Sequence, residues 1–398
     1  MTGRSAAFGL FCNPESRRVE GFCNALAQEL RQRPILVPWQ SVLEGHPWQA
    51  RLGATPTLLR LESPGRNWSV EKGLLARGAT IQDEEANQNW RGISPDAVAS
   101  LTNEPGRVHP MRQWFLGWRE TLRELELWVQ QVRPLSRWLC PPADVTRMFD
   151  KAASHHAMEV AGISVPPMIG MPHNFDDLRE MMRGSGRRRV FIKPCHGSSA
   201  SGVIALESSR SGLQAFSTLA LVEGANELTL QNQRSIRTYR GADEVRKLVD
   251  AACRERCIVQ AWIPKAGISG RPFDLRVVVI GGRARNVMVR LGRGPMTNSQ
   301  LLGGKGDVNA LRKRMGIEAW EQMLGLCELT MQKCFPKSLY AGLDVLIEPN
   351  FKTSWILEIN AFGDLLPRVL HEGRDTYSWE VLTAMQPPQR HHVSATGL

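Results

Sequence analysis

Apolar positions in the first hundred residues fall into short runs separated by stretches with a helical period. "AAFGLFC", "PILVPW" and "PTLLRLESPG" are the short runs, and "ESRRVEGFCNALAQEL" between the first two is helix-like. This alternation predicts a small α/β layer with parallel strands over about residues 5–105. "ESPG" (Glu62–Gly65) lies just past the third run, where open α/β sheets place ligands, and it also reads as a plain turn. Trp114, Trp118, Leu122, Leu125, Val129 and Val132 then recur at spacings of four and three, a stripe that predicts a long core-packing helix. Prolines in "RPLSRWLCPP" mark a domain boundary after it.

A helix is predicted from Asp144 to Val160, closing near Gly162 and handing over to an extended segment at Val165–Pro167. His155 and His156 lie on it and, as neighbours, face different directions, which argues against a shared metal. Val190, Phe191 and Ile192 read as a buried strand ending at Lys193. "LQAFSTLALVEGANELTLQNQRSIRTYRG" predicts two strands joined by a Gly/Asn turn, and "ADEVRKLVDAACRER" a helix. Three strand-like runs follow, "CIVQAWI", "FDLRVVVIGG" and "RNVMVRLG". A helix at "IEAWEQMLGLCELTMQKC" leads to a final strand pair, "YAGLDVLIEP" and "SWILEINAFGD". One short helix is expected after His371, and the last dozen residues read as disordered.

Length and composition narrow the class. The 398 residues suffice for two or three domains, and 42% hydrophobic with 22% charged content is that of a soluble globular protein. No stretch reaches membrane-spanning length, and "MTGRSAAFGLFCNPES" reads as a first strand rather than a signal peptide, so a cytoplasmic location is expected. The eight cysteines are scattered and read as free thiols; Cys253 and Cys257 share a helix face without a histidine-rich segment to complete a zinc set. The net charge of +11 is dispersed apart from "MRGSGRRR" (Met182–Arg189), which reads as a solvated turn; this suits anionic substrates and argues against nucleic acid, and with no spanning stretch no membrane partner is expected.

The chemistry concentrates in a few places. Gly197, Ser198, Ser199, Ser201 and Gly202 follow Lys193 after Pro194, Cys195 and His196, and a small-residue loop beside a strand cation suits an anion, though such a loop is also an ordinary hairpin. A Walker A loop is excluded because no Gly-Lys-Ser/Thr follows, and a nucleophile elbow because Ser201 stands where its last glycine belongs. Cys195 beside Lys193 lacks a His/Asn constellation that would make it a nucleophile. Asp344 sits inside an apolar strand, while Glu358 and Asn360 share one face of the next. Such oxygen donors suit Mg²⁺, and a buried carboxylate paired with arginine is the competing reading. Asp274 and Arg276 share a strand face, and Arg290 follows on the next strand. Together these are the parts needed to handle a nucleoside triphosphate without a Walker loop.

From about Pro141 to Leu366 the order of motifs resembles the ATP-grasp superfamily, which includes D-alanine–D-alanine ligase, glutathione synthetase and the ribosomal-protein glutamate ligases. "DK" at Asp150–Lys151, "FIKP" with Lys193, the Gly/Ser loop, "VQAWIP", "DLR", "GLDVL" and "LEIN" carry the resemblance. It implies an α/β (α+β) chain with a Rossmann-like pre-ATP-grasp layer at 1–140, a lid subdomain at 141–256, a catalytic subdomain at 257–370 and a C-terminal helix and tail at 371–398. ATP would bind between the two subdomains. Lys151 and Lys193 would hold its α- and β-phosphates under a Gly197–Gly202 lid. Gln260, Ala261, Trp262 and Ile263 would line the adenine pocket, and Asp274 would meet the ribose. Arg276 and Arg290 would stabilise the transferring phosphoryl group; Asp344, Glu358 and Asn360 would hold two Mg²⁺ ions, with Mn²⁺ as a substitute.

The implied reaction is ATP-dependent ligation of a small-molecule or peptide carboxylate to an amine acceptor through an acyl phosphate. A kinase acting on a hydroxyl and a non-catalytic nucleotide-binding module are the alternatives. Departures from the family pattern are Ala261 in place of a hinge glutamate, the longer "ISGRP" connection, and a loosely aligned "RGPMTNSQLLGGKGD" that leaves Asn298, Ser299 and Lys305 without a firm role.

Overall fold

The computed structural model describes residues 6–386 except 54, 56, 84–89, 198–200, 224–227, 298–303, 363–365 and 367–368. The turn expected between the two strands of the long hairpin and the tail expected to be disordered lie wholly or almost wholly outside these residues.

Four parallel strands form the first sheet, in the order β2-β1-β3-β4: β1 (Ala7–Cys12), β2 (Ile35–Pro38), β3 (Thr57–Leu61) and β4 (Arg137–Trp138). Helices α1 (Arg17–Leu30), α2 (Trp39–Leu43), α3 (Trp68–Gly78) and α4 (Pro95–Ser100) connect them, followed by the long α5 (Met111–Val132). The predicted stripe of α5 buries Trp118, Leu122, Leu125 and Val129, but Val132 is 59% exposed, because the helix outruns the sheet beneath it. Where α3 crosses α5, a Cβ on Gly78 would collide with the Gln113 carbonyl and one on Gly117 with the Leu74 carbonyl. Only glycine lets the two backbones approach this closely.

The segment predicted as one helix from Asp144 to Val160 is two, α6 (Pro142–Phe149) and α7 (Lys151–Val160). Asp150 is extended (φ −91°, ψ 107°) and its carboxylate caps α7, accepting from the backbone N–H of Ala152 and Ala153. A second sheet, antiparallel throughout, has the order β5-β10-β6-β7-β8-β9. Its strands are β5 (Met168–Gly170), β6 (Arg189–Pro194), β7 (Ile204–Ser209), β8 (Gly212–Glu223), β9 (Leu228–Arg240) and β10 (Cys257–Ala261). Helices α8 (Phe175–Gly184) and α9 (Ala242–Ala252) cover one face and enclose a separate core containing Leu178, Ile192, Leu206, Leu248 and Val259.

The third sheet runs β14-β13-β12-β15-β16, with β11 (Gly267–Ile268) paired to β12 (Arg271–Ile280). Its other strands are β13 (Arg283–Leu291), β14 (Gly304–Gly306), β15 (Tyr340–Ile347) and β16 (Ser354–Asn360); α10 (Val308–Met315) and α11 (Ile317–Cys334) intervene. The last helix, α12 (Thr376–Ala384), returns to the first layer and packs on α1. Buried Arg60 on β3 fixes this return. Its guanidinium pairs with Glu62, reaches Glu380 Oε2 at 2.7 Å and lies over the rings of Phe22 and Tyr340. Among the described residues no helix is long and apolar enough to cross a membrane.

Candidate active site

The break at Asp150 sets the site. It starts α7 at Lys151, whose Nζ lies 3.2 Å from Glu358 Oε1 on β16 and donates to the Gly197 carbonyl. Asp150 Oδ2 lies 3.3 Å from His196 Nε2. Burial opposes ionisation of Asp150, but the His196 contact outweighs it and holds the carboxyl well below the usual range. His196 itself is pushed down to about 4 by burial, against the pull of Asp150. It stacks on Phe115 at 4.0 Å between ring centroids and sits 3.3 Å from Arg112 Nη1. Sequence reasoning passed over His196, hidden at the edge of the glycine loop.

Lys193, next to last in β6, stands opposite Ile258 of β10. Burial pushes its ammonium down to about 8, with Glu358 working against the shift and Lys151 with it. Lys151, Ser154 and His155 of α7 line one cavity together with Lys193, Gln260 and Glu358. Ala261 donates its N–H to the Pro167 carbonyl at 2.9 Å, and the Trp262 ring lies 5.0 Å from that of Phe191. Ile263 follows, half-buried. In the loop, Gly202 has φ +79° and a Cβ there would strike Pro194, so glycine is required by conformation and by space. Ser198 and Ser199 lie outside the described residues. Cys195 is buried, which pushes its thiol up to about 12 and removes it as a nucleophile.

On the opposite wall, Asp344 and Glu358 face each other across the β15–β16 ladder, and Asn360 pairs with Gly342. Arg276 Nε reaches Asp344 Oδ1 at 2.5 Å and Arg290 Nη2 reaches Oδ2 at 3.0 Å. Burial works against ionising Asp344, but the two guanidinium groups outweigh it and keep the carboxyl low. Both sequence readings of Asp344 therefore coexist: it is paired with arginines, and it also stands beside the other oxygen donors. Asp274 is held by Arg290 at 2.7 Å, by Lys265 at 3.4 Å and by Thr297, so both its carboxylate oxygens are engaged within the protein. Lys265 and Thr297 were not foreseen; the only signal for Lys265 is its position two residues past the hinge. Asn298 and Ser299 lie outside the described residues, and Lys305 is exposed on β14 opposite Arg290.

The donor set Asp344, Glu358 and Asn360 offers two carboxylates and an amide oxygen, the hard ligands that Mg²⁺ takes. Among the described residues no group of three or more His, Cys, Asp or Glu could hold a metal, so an ion held by Asp344 and Glu358 would need Asn360 or oxygens from a substrate as further ligands.

Residues 146–292 match the family model described as YheC/D-like ATP-grasp. This stretch is an ATP-grasp domain. The match spans Lys151, Lys193, the hinge, Arg276 and Arg290. Solved ATP-grasp structures share the fold over nearly the whole chain. PsnB, an ATP-grasp ligase complexed with minimal precursor, Mg and ADP, is 11% identical with a TM-score of 0.51, covering 95% of this chain and 98% of its own. The Chryseobacterium gregarium RiPP-associated ATP-grasp ligase, in complex with ADP and a leader and core peptide, is 10% identical with a TM-score of 0.51, covering 96% and 98%. No curated protein sequence matches the chain. The cavity is lined by β6 and β10 from within the matched stretch, by α7, and by Leu357 and Glu358 of β16 from beyond it.

Proposed function

We propose that the chain is an ATP- and Mg²⁺-dependent ligase that joins a carboxylate to an amine. The observation that carries this reading is the 3.2 Å contact of Lys151 with Glu358 across a cavity that Lys193 also lines. Cations for a triphosphate and oxygen donors for its counter-ion thus meet in one place, inside an ATP-grasp fold. In the reaction, a carboxylate oxygen bonds to the γ-phosphorus as the β–γ bridge bond breaks and ADP leaves. The amine nitrogen then bonds to the acyl carbon, phosphate departs, and the amine gives up a proton.

Lys151 and Lys193 bind the phosphates, with the Gly197–Gly202 loop as cover. Gln260 to Ile263 face the base. Asp274 braces Arg290, so its part is to hold that arginine in place, and a direct contact with the ribose is the weaker reading. Arg276 and Arg290 neutralise charge on the moving phosphoryl group. Asp344, Glu358 and Asn360 would hold Mg²⁺, one ion or two, with Mn²⁺ as a substitute; when bound it neutralises phosphate charge. The resemblance in fold to ligases whose structures hold a minimal precursor or a leader and core peptide supports a peptide carboxylate or amine as one substrate, with small molecules as the alternative. The cell compartment that suits free thiols and soluble nucleotide is the cytoplasm.

Calorimetry with Mg²⁺–ATP and a screen of acids and amines for ADP release test the reading. Binding that depends on Mg²⁺, and ADP release that needs both co-substrates, are expected. Failure to bind Mg²⁺–ATP would overturn it, and a phosphorylated hydroxyl without free phosphate would turn it into a kinase.

A further inference from the structure

Two buried polar atoms in the cavity lack a hydrogen-bond partner among the described residues: Nδ1 of His155 and Oε1 of Gln260. Both residues are 2% exposed, and both line the same cavity. Native structures seldom leave such atoms unpaired, because each has given up water for nothing.

The state of the His155 ring follows from its other nitrogen. Nε2 lies 2.9 Å from the Pro166 carbonyl oxygen. A carbonyl only accepts, so Nε2 carries the hydrogen, and in the tautomer with that single N–H, Nδ1 presents a bare lone pair. Pro166 also fixes where this lone pair lies. The next residue, Pro167, accepts from the hinge N–H of Ala261, so His155 is anchored at the hinge end of the cavity. Gln260 precedes Ala261 on β10, and Lys193, opposite Ile258, lies one pleat further from the hinge. The phosphate-binding cations and the two unpaired acceptors therefore occupy successive stations along one cavity.

We propose that His155 Nδ1 and Gln260 Oε1 together read an exocyclic amine on the base of the bound nucleotide, making His155 a specificity-determining residue. The inference rests on the reading of this cavity as a nucleotide site. An amine supplies two N–H groups for two acceptors, and so satisfies both. A base with a carbonyl at that position brings a third acceptor against them and is rejected. The glutamine amide can turn and present its NH₂ instead, whereas the imidazole is held by Pro166, so the histidine is the stricter of the two.

Calorimetry on the full chain with the Mg²⁺ complexes of ATP, inosine triphosphate and purine riboside triphosphate, which lacks the amine, tests this directly. ATP is expected to bind wild type about tenfold or more tightly than either analogue. His155→Leu is expected to weaken ATP binding and bring the three ligands within about threefold of one another, with purine riboside triphosphate little changed. Equal binding of ATP and purine riboside triphosphate by wild type would overturn the proposal while leaving the nucleotide site standing. Binding of none of the three would bring down the ligase reading with it. Should His155→Leu fail to fold, the wild-type series and Gln260→Leu, for which a smaller loss of ATP preference is expected, decide the matter.

Discussion

Lys151 Nζ and Glu358 Oε1 meet at 3.2 Å, although one opens a helix and the other stands on the closing strand. The pair ties α7 to β16 across the cavity, and under the proposed function each partner has a second duty toward the nucleotide. Replacing Glu358 by Ala is expected to lower turnover by about a hundredfold or more while leaving the melting temperature nearly unchanged. ADP release and a thermal scan on the same preparation check both halves. Full activity in the variant would remove Glu358 from the chemistry.

Lys193 gives the site a pH dependence with a defined sign. Its pKa is lowered to about 8, so in the nucleotide-free protein the ammonium loses its proton as pH rises through that value. Affinity for Mg²⁺–ATP is expected to fall above about pH 8, and Lys193→Arg, which stays charged, is expected to flatten the profile. Stability moves the other way. Between about 8 and the ordinary lysine value of 10.5 the unfolded chain binds more protons than the folded one, so this group's contribution to stability rises with pH over that window.

The return of α12 to the first layer depends on a buried charge cluster. Glu380→Ala would leave the Arg60 guanidinium with only Glu62 to balance it in an apolar setting. A loss of about 3–5 kcal/mol is expected in denaturant unfolding. Replacing Arg60, Glu62 and Glu380 together with apolar residues of similar volume is expected to cost much less, because no charge is then stranded.

At the crossing of α3 and α5, Gly117→Ala places a methyl group where the Leu74 carbonyl already lies. About 3 kcal/mol of destabilisation is expected, at the upper end for overpacking, since backbone has to move. Gly325→Ala on α11 is the control, as nothing lies near its Cβ position, and a gain of up to about 1 kcal/mol is expected there.

Much of the site could be read from the chain because its polar residues interrupt strands that are otherwise apolar. Lys193 ends such a run, Asp344 sits within one, and Glu358 and Asn360 alternate with Ile359. What escaped the sequence depends on distant folding. The helical period passes through "TRMFDKAAS" without a pause, so only the capping geometry shows that Asp150 divides it. Lys265 acquires its role from Thr297, 32 residues onward, which folds back over the hinge. Arg60 is one charged residue in an apolar strand, and nothing local to it announces that a helix from the far end of the chain supplies Glu380 to neutralise it.

The way the interior is shared sets what can move. One continuous core takes in Phe8, Leu10 and Trp118 of the first layer together with Phe273, Leu343 and Ile356 of the third sheet. Arg18 adds a tie between them by donating to the Phe362 carbonyl at 2.9 Å. The second sheet keeps its own core between β6, β7, α8 and α9. Heating should therefore undo the protein in two separate cooperative events, and nucleotide should draw them together by bridging the independent interiors.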